Sequence, residues 1–134
     1  MIKHNHLIYQ ADIKNNVDVL EYTEKEFSIF FENLLNEIDM EVLIEPVFKF
    51  SHQKAWTGLI GIVTSHISFH FWTIEKYVQF DIYSCKDIDI NRSVRFLNNF
   101  WQVKTNKTLF VTREVDEDFN ISKYDNHLIL DNEK

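Results

Sequence analysis

Apolar residues recur along the chain in two rhythms, one for each kind of element. The run "HNHLIYQADI" alternates apolar and polar positions, which predicts a first strand over about residues 3–12. After Asn15-Asn16 comes "VDVLEYTEKEFSIFFENLLNEIDM". There Leu20, Phe27, Phe31, Leu34 and Ile38 recur at three-, four- and seven-residue steps, as on one face of a long amphipathic helix that either asparagine could cap. Three strand-like runs follow closely, "VLIEPVFKF", "WTGLIGIVTS" and "HISFHFWT", and "YVQFDIYSC" comes after a polar Glu75-Lys76 turn. "KDIDINRSVRFLNNFWQ" reads as a second helix, opened by Asp87 or Asp89 and burying Val94, Leu97, Phe100 and Trp101. "TLFVTREV" is a last strand, and residues from about 117 onward read as a polar tail with one apolar patch, "LIL".

The order β-α-β-β-β-β-α-β, with short β-β connections, predicts an α+β fold. It is a two-layer sandwich whose mainly antiparallel sheet carries two helices on one face. Nothing repeats and no linker divides the chain, so residues 1–134 read as a single domain.

Alternation then sorts the side chains of two neighbouring strands. Ile67, Phe69 and Phe71 share one side with Val78, Phe80 and Ile82 of the next strand, facing the helices. The opposite side takes His66, Ser68, His70 and Trp72, and beside them Tyr77, Gln79, Asp81, Tyr83 and Cys85 if the two strands form a hairpin. One solvated face is ordinary for an antiparallel sheet. Trp72, Tyr77, Tyr83 and Cys85, however, are poor choices for open water, and a second sheet or a partner subunit would cover them better.

Composition narrows the chemistry. A formal charge of −7 and a pI near 5.3 argue against a nucleic-acid partner. No apolar run is long enough to span a membrane, and the N-terminus lacks a signal-peptide core, so a cytoplasmic protein is expected. The single cysteine, Cys85, excludes an internal disulfide and a cysteine-built zinc site. His66 and His70 lie four residues apart on one strand, about 13 Å, too far to share a zinc ion. His4 and His6 point the same way without an evident acidic or histidine neighbour, so no metal site is expected. The only glycines, Gly58 and Gly61, lie just upstream of Ser65 and accommodate either close packing or an unusual backbone shape.

These residues resemble the short prokaryotic form of S-adenosylmethionine decarboxylase, a pyruvoyl enzyme. One strand of that family reads approximately Glu-Ser-His-Leu/Ile-Ser/Thr-Ile-His-Thr-Trp-Pro-Glu, and its neighbour Tyr-Ala-Ala-Val-Asp-Ile-Phe-Thr-Cys. This chain has "TSHISFHFWTIE" and "YVQFDIYSC" with the same spacing from serine to cysteine. "TG" at Thr57-Gly58 matches a Ser-Gly pair, and "HLIYQAD" is similar to an "HLVAE"-type first strand. The likeness covers most of residues 4–110.

The resemblance implies self-cleavage between Thr64 and Ser65. The Ser65 hydroxyl attacks the Thr64 carbonyl, and the resulting ester eliminates and splits the chain. The new terminus hydrolyses with release of ammonia to a covalent pyruvoyl group, the pyruvate cofactor, which takes up a substrate amine and acts as an electron sink. It further implies His70 as the proton acceptor of processing, Thr57 in place of an assisting serine, and Cys85 as the proton donor to the decarboxylated carbon. Trp72, Glu75 and Tyr77 would meet a small amino-acid-type substrate, and the processed protomers would form a homodimer with active sites at the subunit junction.

Departures from the pattern fall mostly on substrate recognition. Glu75 stands one position later than the family glutamate that binds ribose, and Phe48 or Phe50 supplies no clean counterpart to the adenine-stacking phenylalanine. Thr64 replaces the usual glutamate before the serine. The expected function is conversion of S-adenosylmethionine to the aminopropyl donor for spermidine. The alternatives are decarboxylation of ornithine or arginine, and an unprocessed regulatory homologue.

Overall fold

In the computed structural model, which describes residues 3–114 and 120–124, one seven-stranded antiparallel sheet carries the chain. Its order is β2-β3-β4-β5-β1-β6-β7, with β1 at Lys3–Ile13, β2 at Val42–Phe50, β3 at Ala55–Ile62, β4 at Ser65–Trp72, β5 at Tyr77–Ser84, β6 at Val103–Glu114 and β7 at Asn120–Tyr124. Helix α1 spans Glu24–Glu37 and α2 spans Ile90–Trp101. The two-layer α+β sandwich expected from the sequence is the observed fold.

The first helix is shorter than its periodicity suggests. Thr23 is extended (φ −126°, ψ 167°), and its Oγ1 accepts a hydrogen bond from the Glu26 amide at 3.3 Å, which starts α1 there rather than at Asn15 or Asn16. The Thr23-x-x-Glu26 spacing is that of a capping box. Ahead of it Val19–Glu21 form only a short 3₁₀ turn, and Leu20 is 80% exposed instead of packed. Asp89, not Asp87, caps α2. Phe100 is only partly buried and stacks on Phe30 at 3.8 Å between centroids.

The last strand is longer than expected. β6 begins at Val103, because Val103 and Thr105 to Lys107 pair with β1 despite the polarity of the segment. The region read as a polar tail contains β7, paired with β6, while "LIL" lies outside the described residues.

The inner face of the sheet is almost wholly aromatic and aliphatic. Ile67, Phe69, Phe71, Val78, Phe80 and Ile82 are all at most 1% exposed, as the alternation required. Phe27 of α1 sits over them, within 6 Å of Phe48, Trp56, Phe69 and Trp101. Each such side chain contributes roughly 1.5–3 kcal/mol by leaving water. Tyr9 is buried too, and donates its hydroxyl to Asn98 Oδ1 at 2.7 Å. Burial pushes its pKa well above the usual tyrosine range.

Candidate active site

The β3–β4 hairpin is closed by two residues, Val63 and Thr64, since Ile62 pairs with Ser65. Thr64 lies in the left-handed region at φ 57°, where a β-branched residue is an outlier. The two glycines have ordinary backbone. A side chain at Gly58 would run into the Phe69 ring at 2.2 Å, and one at Gly61 into Ile44 at 2.7 Å. Of the two readings of these glycines, close packing holds. The unusual backbone belongs to Thr64 instead.

Ser65 opens β4 on the inner face and is partly buried. Its hydroxyl donates to Ser84 Oγ at 3.3 Å and accepts from the Cys85 amide at 3.4 Å. Ser84 ends β5, is completely buried, and also accepts from the Lys86 amide at 2.9 Å. The hairpin register thus brings Ser65 to the residue that carries the only thiol. Ser84 was not singled out from the sequence. The signal was present, because alternation puts this serine on the wholly apolar side of β5.

A second group lies at the other end of β4. Thr57 and His70 are cross-strand partners, and Thr57 Oγ1 is 3.0 Å from His70 Nδ1. His70 neighbours Trp72 at 6.0 Å between ring centroids, and Trp72 packs on Tyr77 at 5.6 Å. The Tyr77 hydroxyl donates to Gln10 Oε1 at 3.0 Å. Glu75 is exposed in the turn between β4 and β5, beyond strand alternation, where it lines a shallow hollow with Asp12, Lys76 and Lys104. Thr57, His70, Trp72 and Tyr77 therefore cluster, with Glu75 on the adjoining turn.

The two groups do not meet within one chain. Ser65 and His70 are five residues apart on one strand, about 16 Å, and alternation sends them to opposite faces.

On the outer face, His66, Asp81 and Tyr83, which alternation had set together, are joined in a row by His4 and His6 of β1, which the sequence did not place there. His6 and His66 both pair with Tyr83, from either side. The His66 ring stacks on Tyr83 at 5.0 Å, and Tyr83 hydrogen-bonds His4 Nδ1. His6 Nε2 lies 3.7 Å from an Asp81 carboxylate oxygen. His4 and His6 thus have the acidic and histidine neighbours that linear spacing concealed. Beside this row Ile44, Val47, Leu59 and Val63 are 46–63% exposed.

A profile of the S-adenosylmethionine decarboxylase family matches residues 9–114. The chain belongs to this family. An S-adenosylmethionine decarboxylase proenzyme from Clostridium botulinum strain Langeland is 31% identical over 83 residues, covering 61% of this chain and 70% of the relative. The proenzyme from Pyrococcus horikoshii is 26% identical over 118 residues, 87% of this chain and 82% of its own. In three dimensions the chain is similar to the adenosylmethionine decarboxylase of Aquifex aeolicus VF5, with a TM-score of 0.60 across 99% of this chain and 96% of that one, at 16% identity. This last likeness concerns the fold alone. Among the described residues, no helix is long and apolar enough to cross a membrane.

Proposed function

We propose that this family member is a self-processing, pyruvoyl-dependent decarboxylase of S-adenosylmethionine. The observation that carries the reading is the Ser65 hydroxyl, held by Ser84 and the Cys85 amide immediately after a left-handed Thr64. The residues present fit a pyruvoyl group, which would be made from Ser65 itself at a half-buried strand end next to the thiol-bearing residue.

In processing, Ser65 Oγ bonds to the Thr64 carbonyl carbon, the Thr64–Ser65 peptide bond breaks, and the hydroxyl proton ends on the freed nitrogen. The ester then eliminates, releasing Thr64 as a carboxylate, and water displaces the nitrogen as ammonia, which leaves two chains. Strain at Thr64 raises the starting state of that exchange. A pyruvoyl group supplies an electron sink for loss of carbon dioxide from an amino-acid substrate. Cys85 holds the proton that the decarboxylated carbon receives. His70, fixed by Thr57, accepts a proton during processing. Trp72 and Tyr77 offer aromatic surface, and Glu75 offers a carboxylate for substrate hydroxyls.

The separation of the two groups calls for a homodimer. Two copies stacked outer face to outer face about a two-fold axis would set the strand end that carries Ser65 and Cys85 in one over the Thr57–His70–Trp72 end of the other, twice over. The inward-facing Ser65 would be reached past the Val63-Thr64 turn that closes that end. The same contact would cover Ile44, Val47, Leu59 and Val63. We place this dimer in the cytoplasm, without nucleic-acid or membrane partners, in keeping with the net charge of −7.

A second reading keeps the chemistry and changes the substrate to ornithine or arginine. It is favoured by Phe48, which packs into the core against Phe27 and Phe69 and so cannot stack on an adenine, leaving only the half-exposed Phe50 beside Trp56.

Intact mass under denaturing conditions tests the processing. Cleavage after residue 64 divides 16.2 kDa into pieces of about 7.7 and 8.5 kDa, and Ser65→Ala leaves one full-length chain. A wild-type chain that stays whole would overturn the enzymatic reading in favour of a regulatory homologue. Turnover of S-adenosylmethionine against ornithine and arginine decides the substrate.

A further inference from the structure

The buried Ser84 has no part in the chemistry described so far, yet it makes the closest side-chain contact to Ser65. We propose that Ser84 is a positioning residue for self-cleavage, acting on the Ser65 hydroxyl before the peptide bond breaks; this rests on Ser65 being the cleavage serine.

The geometry supplies three reasons. First, Ser84 ends β5 as a polar side chain on a face otherwise built of Val78, Phe80 and Ile82, all 0% exposed, so its hydroxyl gains nothing from water there. A buried hydroxyl costs free energy unless its hydrogen bonds are made. Second, Ser84 Oγ accepts two hydrogen bonds, from Ser65 Oγ at 3.3 Å and from the Lys86 amide at 2.9 Å. The Lys86 contact holds the Ser84 oxygen in place, at hydrogen-bond distance from the Ser65 hydroxyl. Third, the Cys85 amide donates to Ser65 Oγ at 3.4 Å, so the serine oxygen is held from two directions by consecutive residues of one strand end.

With its proton directed toward Ser84, Ser65 Oγ keeps a lone pair free for the adjacent Thr64 carbonyl carbon. The step is the exchange already described. The Oγ–carbon bond forms, the carbon–nitrogen bond breaks, and the proton leaves Oγ for the Ser65 nitrogen, with no oxidation or reduction. Ser84 neither gains nor loses an atom. It selects the Ser65 rotamer from which attack begins, and the Cys85 amide holds the same oxygen from a second side.

The test follows the cleavage rate of freshly synthesised full-length chain by intact mass. Four Ser84 variants are compared with wild type, and folding is checked by thermal melting of each in a Ser65→Ala background. Ser84→Ala should cleave slower by about tenfold or more, the scale of one lost hydrogen bond to a reacting group, and Ser84→Thr should restore most of the rate. Ser84→Val, which matches threonine in shape without its hydroxyl, should be as slow as Ser84→Ala, and Ser84→Cys should fall between. Because threonine and valine crowd the site equally, their ratio stays decisive even if Ser84→Ala folds poorly. Equal rates for threonine and valine, or a folded Ser84→Ala within twofold of wild type, overturn the role of Ser84 while leaving Ser65 cleavage intact. Wild-type chain that never cleaves overturns both.

Discussion

The two ends of β4 are seven residues apart and chemically unlike. At its start stand two hydroxyls and a thiol-bearing residue, Ser65, Ser84 and Cys85, half or fully buried and linked through short backbone and side-chain contacts. At its end stand an imidazole and two aromatic rings, His70, Trp72 and Tyr77, supported by Thr57 and open toward the outer face. One end holds a group that can be attacked or can attack. The other holds groups that move protons and bind flat or charged surfaces. A strand about 25 Å long cannot fold back to join them, so under the proposed function each copy would carry two complementary halves of a site.

The largest effect should come from mixing two damaged chains. His70→Ala made alone should stay whole, and so should Ser65→Ala. Made together, they should yield cleaved His70→Ala chain up to the heterodimer fraction, because its Ser65 then meets the intact His70 of its partner. Intact mass of the co-synthesised pair reads this directly, and no cleavage would place both ends in one chain's service and break the comparison. A smaller effect is expected at Cys85. Cys85→Ala should still cleave, since only the amide of residue 85 touches Ser65, but carbon dioxide release per processed site should fall by about 10²-fold or more. Equal loss of cleavage and turnover would mean that the thiol serves processing too. The smallest effect is at the turn. Thr64→Asn in a Ser65→Ala background should raise stability by about 1 kcal/mol in a thermal melt, because asparagine enters the left-handed region at lower cost than threonine. An unchanged or lowered melting temperature would show that the turn stores no such strain.

The sheet with its buried side was legible because alternation in β4 and β5 leaves no other way to bury Phe69, Phe71, Phe80 and Ile82. The pairing of His66, Ser68, His70 and Trp72 with β5 was legible as well, because a short turn sets the register of the β4–β5 hairpin. That Cys85 lies at the Ser65 end and not beside His70 was not. Leu20 misled because a helical spacing can continue by chance past a true cap, and Thr23 ends it locally. β7 and the early start of β6 were missed because their polar residues pair through the backbone, which carries no hydrophobic signature.

The sequence by itself determined which faces of the strands lie inside and that α2 starts at one of two aspartates, but it began α1 about two turns early, at Asn15 or Asn16 instead of Thr23. Those properties are local: side-chain type, period and caps act over a few residues. Only the tertiary structure decided that β1 runs between β5 and β6, which gathers His4, His6 and Asp81 around Tyr83. It also decided that Ser84 lies against Ser65 and that Thr64 is left-handed. Such relations depend on which strands become neighbours and in what register. That choice is made by burying one shared face at the lowest free energy for the whole chain, and no window of residues contains it.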